Sequence, residues 1–297
     1  MRKVLLFLTI IFMTEALSSC GNANISQDDG RSRVVHLSLD DVELFGDLIR
    51  NQQDYDSLFR HPLMAFLKDL HQEYGLRITL YTYERFPDNN DKSIRIEAMP
   101  LKFSDDFLKS SDWLRIGFHS PQAEFDSLVS VEKYKNAYDN VNSAIAQFAD
   151  STMIASTLRL HYYFAPDSLL NPLNGIRLLL CTDRNVAQSY NLTPEEGRTV
   201  ARGNEIIKNN ISFRRTDLRI DDNIHIISAL DNLRREGADT LVIFAHEWKI
   251  LLNERKYNSG SAAGKIKMQI WRCINRSLFK ETVKWLHEAG YEFSFLE

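Results

Sequence analysis

The chain has 297 residues, 44% of them hydrophobic and 26% charged, with a formal net charge of −4. That length and apolar content suit one large α/β domain or two small ones and exclude a disordered or fibrous chain. The absence of a basic excess excludes nucleic acid as a partner class.

Met1-Arg2-Lys3 is a short positive region, followed by an apolar run over 4–13 and then Leu17-Ser18-Ser19-Cys20. This is the pattern of a secretory signal, and its apolar run is shorter than the roughly 20 residues a membrane span needs. The tetrapeptide resembles the lipobox of bacterial lipoproteins, in which the Cys becomes the lipidated N-terminus. That resemblance implies a signal peptide over 1–19, a lipid on Cys20 and a polar, flexible tether over 20–33. It also implies a location at the bacterial cell envelope, periplasmic or at the cell surface, with the membrane as a partner through the anchor. Of three cysteines, Cys181 and Cys273 then remain. Buried free thiols are the expectation, and an oxidising envelope leaves a disulfide open.

From residue 34 onward, apolar and β-branched runs alternate with helical patterns. Strands are predicted over 34–39, 77–83, 113–118, 157–164, 176–181, 211–215, 240–245 and 291–296. Helices are predicted over 62–74, 131–148, 224–235 and 268–289, the last stopping at Gly290. Alternating β and α units imply a mainly parallel sheet covered by helices. For a single domain over 34–297 this fits a β/α barrel of about seven strands, with an open doubly wound sheet as the other arrangement. No Gly-x-Gly-x-x-Gly follows a strand, which argues against a dinucleotide site.

Candidate chemistry gathers at the strand ends. Asp40 and Asp41 close the run Val34-Val35-His36-Leu37-Ser38-Leu39. Two unpaired carboxylates do not belong in an apolar core, so they either cap the following helix or sit on the reactive face of a barrel. His119 follows the strand over 113–118, His161 lies in 157–164, Asp183 follows 176–181, and His246 follows 240–245. Parallel strands bring such ends together, and carboxylate oxygen with neutral imidazole nitrogen suits zinc or a related divalent ion. His61, His71, His225 and His287 fall in helical or loop patterns and are expected at the surface. His36 is expected in the core. Trp113, Tyr162, Tyr163 and Trp248 are candidates for stacking on sugar rings, although strand aromatics are more often core. The Gly- and Ser-rich stretch 253–265 reads as a loop, either a lid or a linker.

Leu37-Ser38-Leu39-Asp40-Asp41-Val42 resembles the Thr-Phe-Asp-Asp-Gly motif of the polysaccharide deacetylases, carbohydrate esterases with a distorted β/α barrel. Gly117-Phe118-His119-Ser120 is similar to the start of their His-Ser/Thr-x-x-His metal motif. Arg159-Leu160-His161-Tyr162-Tyr163 stands where they carry Arg-x-Pro-x-Gly. Val242 to His246 resembles their last Leu-x-His strand, and Gly290-Tyr291 their closing Gly-Tyr. The sequence departs from the pattern at Ala123, where the second metal histidine should fall. It departs again at Val42 in place of Gly and at the lost Pro and Gly after Arg159. The resemblance implies a metal-dependent hydrolase that removes N- or O-linked acetyl groups from an envelope or extracellular glycan. Asp41 and His119 would hold the metal, zinc being the first expectation. His161 would supply the missing imidazole, with Glu124 as the other candidate. Asp40 would be the base and His246 the acid, oriented by a carboxylate such as Asp183. A decayed domain that binds glycan or scaffolds a partner without turnover is the alternative.

Overall fold

The computed structural model describes residues 32–87, 93–182, 189–251 and 261–297. The signal, Cys20 and nearly all of the tether lie outside the described residues, as does Asp183. Among the described residues no helix is long and apolar enough to cross a membrane.

The central strand β1 (Arg33–Val42) is buried almost throughout, which explains its run of Val and Leu on both faces. One edge pairs in parallel with β11 (Thr240–His246) from Val34 to Asp40. The other edge is shared. β12 (Tyr291–Phe293) takes its first residues, and β2 (Ile78–Tyr83) takes Ser38 onward. β2 in turn pairs in parallel with β5 (Leu114–Ser120). Between β2 and β5 a short antiparallel hairpin, β3 (Arg85–Pro87) and β4 (Ser93–Arg95), stands apart.

A second sheet continues the curve. β6 (Thr157–Leu158), β7 (Leu178–Cys181) and β9 (Ile211–Arg215) are parallel, and β8 (Ile206–Lys208) runs antiparallel on the outer edge of β9. The two sheets meet at both ends. Ile116 of β5 bridges Ile154, and the Ala155 amide donates to the Ile116 carbonyl at 2.9 Å. On the far side the chain leaves β9, donates from Thr216 N to Cys181 O, and then from Asp217 N to Val242 O. It enters β10 (Leu218–Arg219), which pairs with β11. The ring therefore runs β1–β2–β5–β6–β7–β9/β10–β11 and back to β1. This is the expected distorted barrel and not the open sheet.

Helices cover the outside. One spans Leu44–Arg50 (α1) and the next Pro62–Tyr74 (α2). α2 starts at Pro62 behind the His61 side chain, which accepts from Leu63 N, and stops at Gly75 with φ 70°. Ser104–Leu108 (α3) and Val131–Phe148 (α4) flank β5. Asp167–Leu170 (α5), Pro194–Ala201 (α6), Ile226–Arg235 (α7) and Glu247–Ile250 (α8) follow. The last helix, α9 (Ala262–Glu288), begins where Ser261 accepts from Gly264 N. Ser261 to Lys265 thus open a helix, where the sequence read as loop. Residues 253–260 of that stretch lie outside the described residues.

Other expectations are corrected. The strand predicted over 157–164 ends at Leu158 and gives way to a tight turn over His161–Tyr163. Apolar alternation there reflects burial of a turn against the barrel end, not a ladder. His61 is buried, with Asp47 Oδ2 at 3.2 Å from its Nε2. His71 is half-buried and stacks on Trp113 at 5.1 Å between ring centroids. His225 and His287 are exposed and His36 is buried, as expected. Cys181 is a buried free thiol, but Cys273 is exposed, on the solvent side of α9.

Candidate functional site

The C-terminal ends of β1, β2, β5, β10 and β11, with the turn after β6, meet at one end of the barrel. Asp41 is at their centre. Its φ of 56° puts it in the left-handed region, a costly conformation for a residue other than Gly. The strand pairing with β2 shifts register between Leu39 and Val42, so the backbone kinks at this point. A regular strand would point the two adjacent aspartates to opposite faces of β1, whereas with the kink both face the barrel end beside His246.

Asp41 Oδ1 has three neighbours. The Tyr83 hydroxyl donates to it at 2.5 Å, His119 Nε2 lies at 3.3 Å and His161 Nε2 at 3.6 Å. Oδ2 accepts from Trp248 Nε1 at 3.1 Å, and His246 Nε2 lies 3.9 Å away. Ligating atoms of Asp41, His119 and His161 all fall within 4.8 Å of one another. Glu124 is exposed and outside this cluster, and Ala123 brings no ligand.

The donor set fits a divalent ion. His119 Nδ1 donates to the Arg159 carbonyl at 2.5 Å, which orients the ring with Nε2 toward Asp41, where a bound ion would replace the Nε2 proton. Burial, with the His119 charge second, lowers the His161 pKa to about 4. The neutral imidazole that a metal requires is therefore its resting form. Burial opposes ionisation of Asp41, but the hydrogen bond and charge of His119 outweigh it and hold the carboxyl well below the usual range.

Asp40 faces the barrel interior and is buried. Its partner is Arg159, the largest fully buried side chain. Arg159 Nη1 donates to Asp40 Oδ1 at 3.0 Å and to Ser38 Oγ at 2.8 Å, while Nη2 donates to Thr216 Oγ1 at 3.0 Å. The guanidinium also lies 4.2 Å from the centroid of the Phe244 ring. Arg159 thus ties β1 to the β9/β10 crossing from within and holds one oxygen of Asp40 in place.

His246 ends β11. Its Nδ1 meets Asp221 Oδ2 at 2.5 Å, and its backbone amide donates to Asp221 Oδ1 at 3.1 Å. Burial disfavours the imidazolium, but the hydrogen bond and charge of Asp221 overcome this and raise the His246 pKa above its ordinary value. Asp221 is the carboxylate in the orienting role for which the sequence offered Asp183. A second Asp pair, Asp221-Asp222, follows the short segment Leu218-Arg219-Ile220, and that signal parallels Asp40-Asp41.

The aromatic candidates divide. Trp113 precedes β5 at the opposite end of the strand from the cluster and is buried against His71, so it offers no sugar face. Tyr162 is 65% exposed and Trp248 40% exposed, both beside the cluster. Tyr163 is half-buried.

No family model matches the sequence, and no curated protein matches it. Solved structures do. The 4-α-glucanotransferase of Thermococcus litoralis is similar over 89% of this chain and 40% of its own, at 10% identity and a TM-score of 0.52. A family 4 acetyl xylan esterase from Clostridium thermocellum, solved with a cobalt ion, is similar over 88% and 87%, at 14% identity and a TM-score of 0.42. A peptidoglycan deacetylase of Bacillus subtilis is similar over 90% and 89%, at 14% identity and a TM-score of 0.41. At such identities the likeness is one of fold. In fold, the chain is a distorted β/α barrel, similar to the part of the glucanotransferase that it covers.

Proposed function

We propose that the protein is a metal-dependent hydrolase that removes N- or O-linked acetyl groups from a glycan of the bacterial envelope or its surroundings. One observation carries the reading. The Asp41–His119–His161 donor set adjoins Asp40, held by Arg159, and His246, held by Asp221. A divalent ion held by Asp41, His119 and His161, with zinc the first candidate, would polarise an acetyl carbonyl and lower the pKa of a neighbouring water.

The protein's own groups supply the proton traffic. Asp40, its one oxygen fixed by Arg159, takes a proton from the attacking water as the new C–O bond forms. His246 then donates its proton to the sugar nitrogen or oxygen as the C–N or C–O bond breaks. Acetate and the free amine or alcohol are the products. Asp221 maintains the protonated imidazole that this second step needs. The sequence Leu17-Ser18-Ser19-Cys20 supports attachment of the protein to the envelope through a lipid on Cys20.

The test is metal analysis of the purified chain, combined with acetate release from acetylated xylan, chitin oligomers and peptidoglycan. Stoichiometric divalent metal with acetate release is expected. Metal-replete protein inert on every substrate would instead favour a glycan-binding module with a decayed site.

A further inference from the structure

The turn that presents His161 to Asp41 also turns a second side chain outward. Tyr162 and Tyr163 both have positive φ, 54° and 53°, and neither is Gly. Two successive left-handed residues are costly and persist where the surroundings impose them, most often at functional sites. The position of Tyr163 is the one at which the related motif carries Gly, a residue free of that cost.

With the chain bent in this way, Tyr162 stands 65% exposed, its ring centroid 4.4 Å from that of His161. Phe125, 47% exposed, comes from the loop after β5 and meets Tyr162 at 4.9 Å. Phe164 backs Phe125 edge-on at 5.3 Å. On the Oδ2 side of Asp41, Trp248 is also exposed and leans on His246 at 5.5 Å. Exposed aromatic rings therefore run up to the cluster from the His161 side and from the His246 side.

Large apolar rings kept in water beside a reactive cluster call for an occupant. A pyranose ring has an apolar C–H face and a polar rim, which matches an aromatic face bordered by polar groups. A membrane or an apolar peptide fits less well, because the shelf borders charged and polar side chains.

Resting on the proposed deacetylase reading, we propose that Tyr162 and Phe125 form a sugar-stacking subsite, which takes the pyranose ring next to the one being deacetylated in a glycan chain. The same strained turn thus delivers an imidazole inward and a sugar platform outward. This makes the chain a binder of oligomers and polymers, in which a single acetylated sugar would miss the shelf.

Isothermal titration of the metal-loaded full chain with unacetylated chitosan and xylan oligomers of rising length tests this without turnover. Wild-type affinity is expected to rise with length for at least one series. Tyr162→Ser and Phe125→Ser should each weaken the longer oligomers tenfold or more and flatten the length dependence. Tyr162→Phe, which keeps the ring, should stay close to wild type, as should Ile207→Ala on β8. Oligomers that bind Tyr162→Ser as tightly as wild type overturn the subsite. A wild-type chain that releases acetate from a small ester yet binds no oligomer also overturns it, while sparing the hydrolase reading. Oligomer binding that depends on Tyr162 in a chain without metal or turnover would keep the subsite and remove the hydrolase.

Discussion

At the scale of single residues, the candidate site depends on which hydrogen bonds each carboxylate and imidazole already makes. Trp248 occupies Oδ2 of Asp41, which leaves Oδ1 as the oxygen nearest both histidines. Hydrogen bonds of this supporting kind typically change metal affinity about 10–100-fold. Trp248→Phe is therefore expected to weaken zinc by that order, measured by titration against a competing chelator, with thermal stability nearly unchanged because the indole is partly exposed. Affinity equal to wild type would show that Asp41 needs no such support. Asp221 acts on His246 in the opposite electrical sense to burial. Asp221→Asn removes the charge that raises the imidazole pKa, so the protonated acid disappears at a lower pH. The basic limb of the pH–rate profile should move down, and a limb that stays in place would exclude His246 as the acid. Asp40→Asn should lower turnover by about 10²–10⁴-fold while metal uptake survives.

At the scale of elements, the strands that carry the site were largely legible because burial on both faces leaves continuous apolar runs. β2, β5 and β11 appear within a residue or two of their predicted spans, and β1 runs three residues past its predicted end at Leu39. What sequence periodicity missed is the end of β6. Leu158 and Leu160 are both buried, so the stretch reads as a strand even though the backbone turns. Asp221 was missed because its segment, β10, is only two residues long and joins the sheet by a crossing that no local pattern encodes. Packing between elements is tight at Gly117. A Cβ there would meet the Tyr81 ring and Leu158, each at 2.9 Å. Tyr81 is fixed in turn by its hydroxyl, which donates to Thr157 O at 2.8 Å. Gly117→Ala is expected to cost about 1–3 kcal/mol in urea unfolding, the usual range for overpacking a core. A neutral result would mean that β5 and β6 can part without loss.

At the scale of the whole molecule, one buried acid contributes to how stability follows pH. Glu247, next to His246, is buried and accepts from Glu43 N at the start of α1. Burial pushes its pKa up to about 8, while the backbone hydrogen bond opposes the shift. A folded-state pKa raised above the unfolded one contributes stability that is full below pH 4.5 and declines as pH rises toward 8. Glu247→Gln keeps an acceptor and loses the titration. Wild type should therefore lose stability relative to this variant between pH 5 and pH 8 in denaturant melts, and parallel curves would show that Glu247 ionises freely. The proposed membrane attachment concerns a segment apart from the barrel. Cys20→Ser is expected to release the protein from the detergent phase, and unchanged partitioning would remove the lipid anchor from the proposal.

Taking the imidazole from the turn after β6 has a consequence for the loop after β5. In the motif that this chain resembles, that loop must return a histidine to the metal four residues after the first. Here Ala123 stands at that place, half-buried and without a donor atom, and His161 faces Asp41 instead. The segment from Pro121 to Val129 is released from coordination and can vary in length and sequence while the donor set stays whole. On the proposed reading it becomes interchangeable, a place where grafting loops with a different ring in place of Phe125 would retune which glycan is accepted.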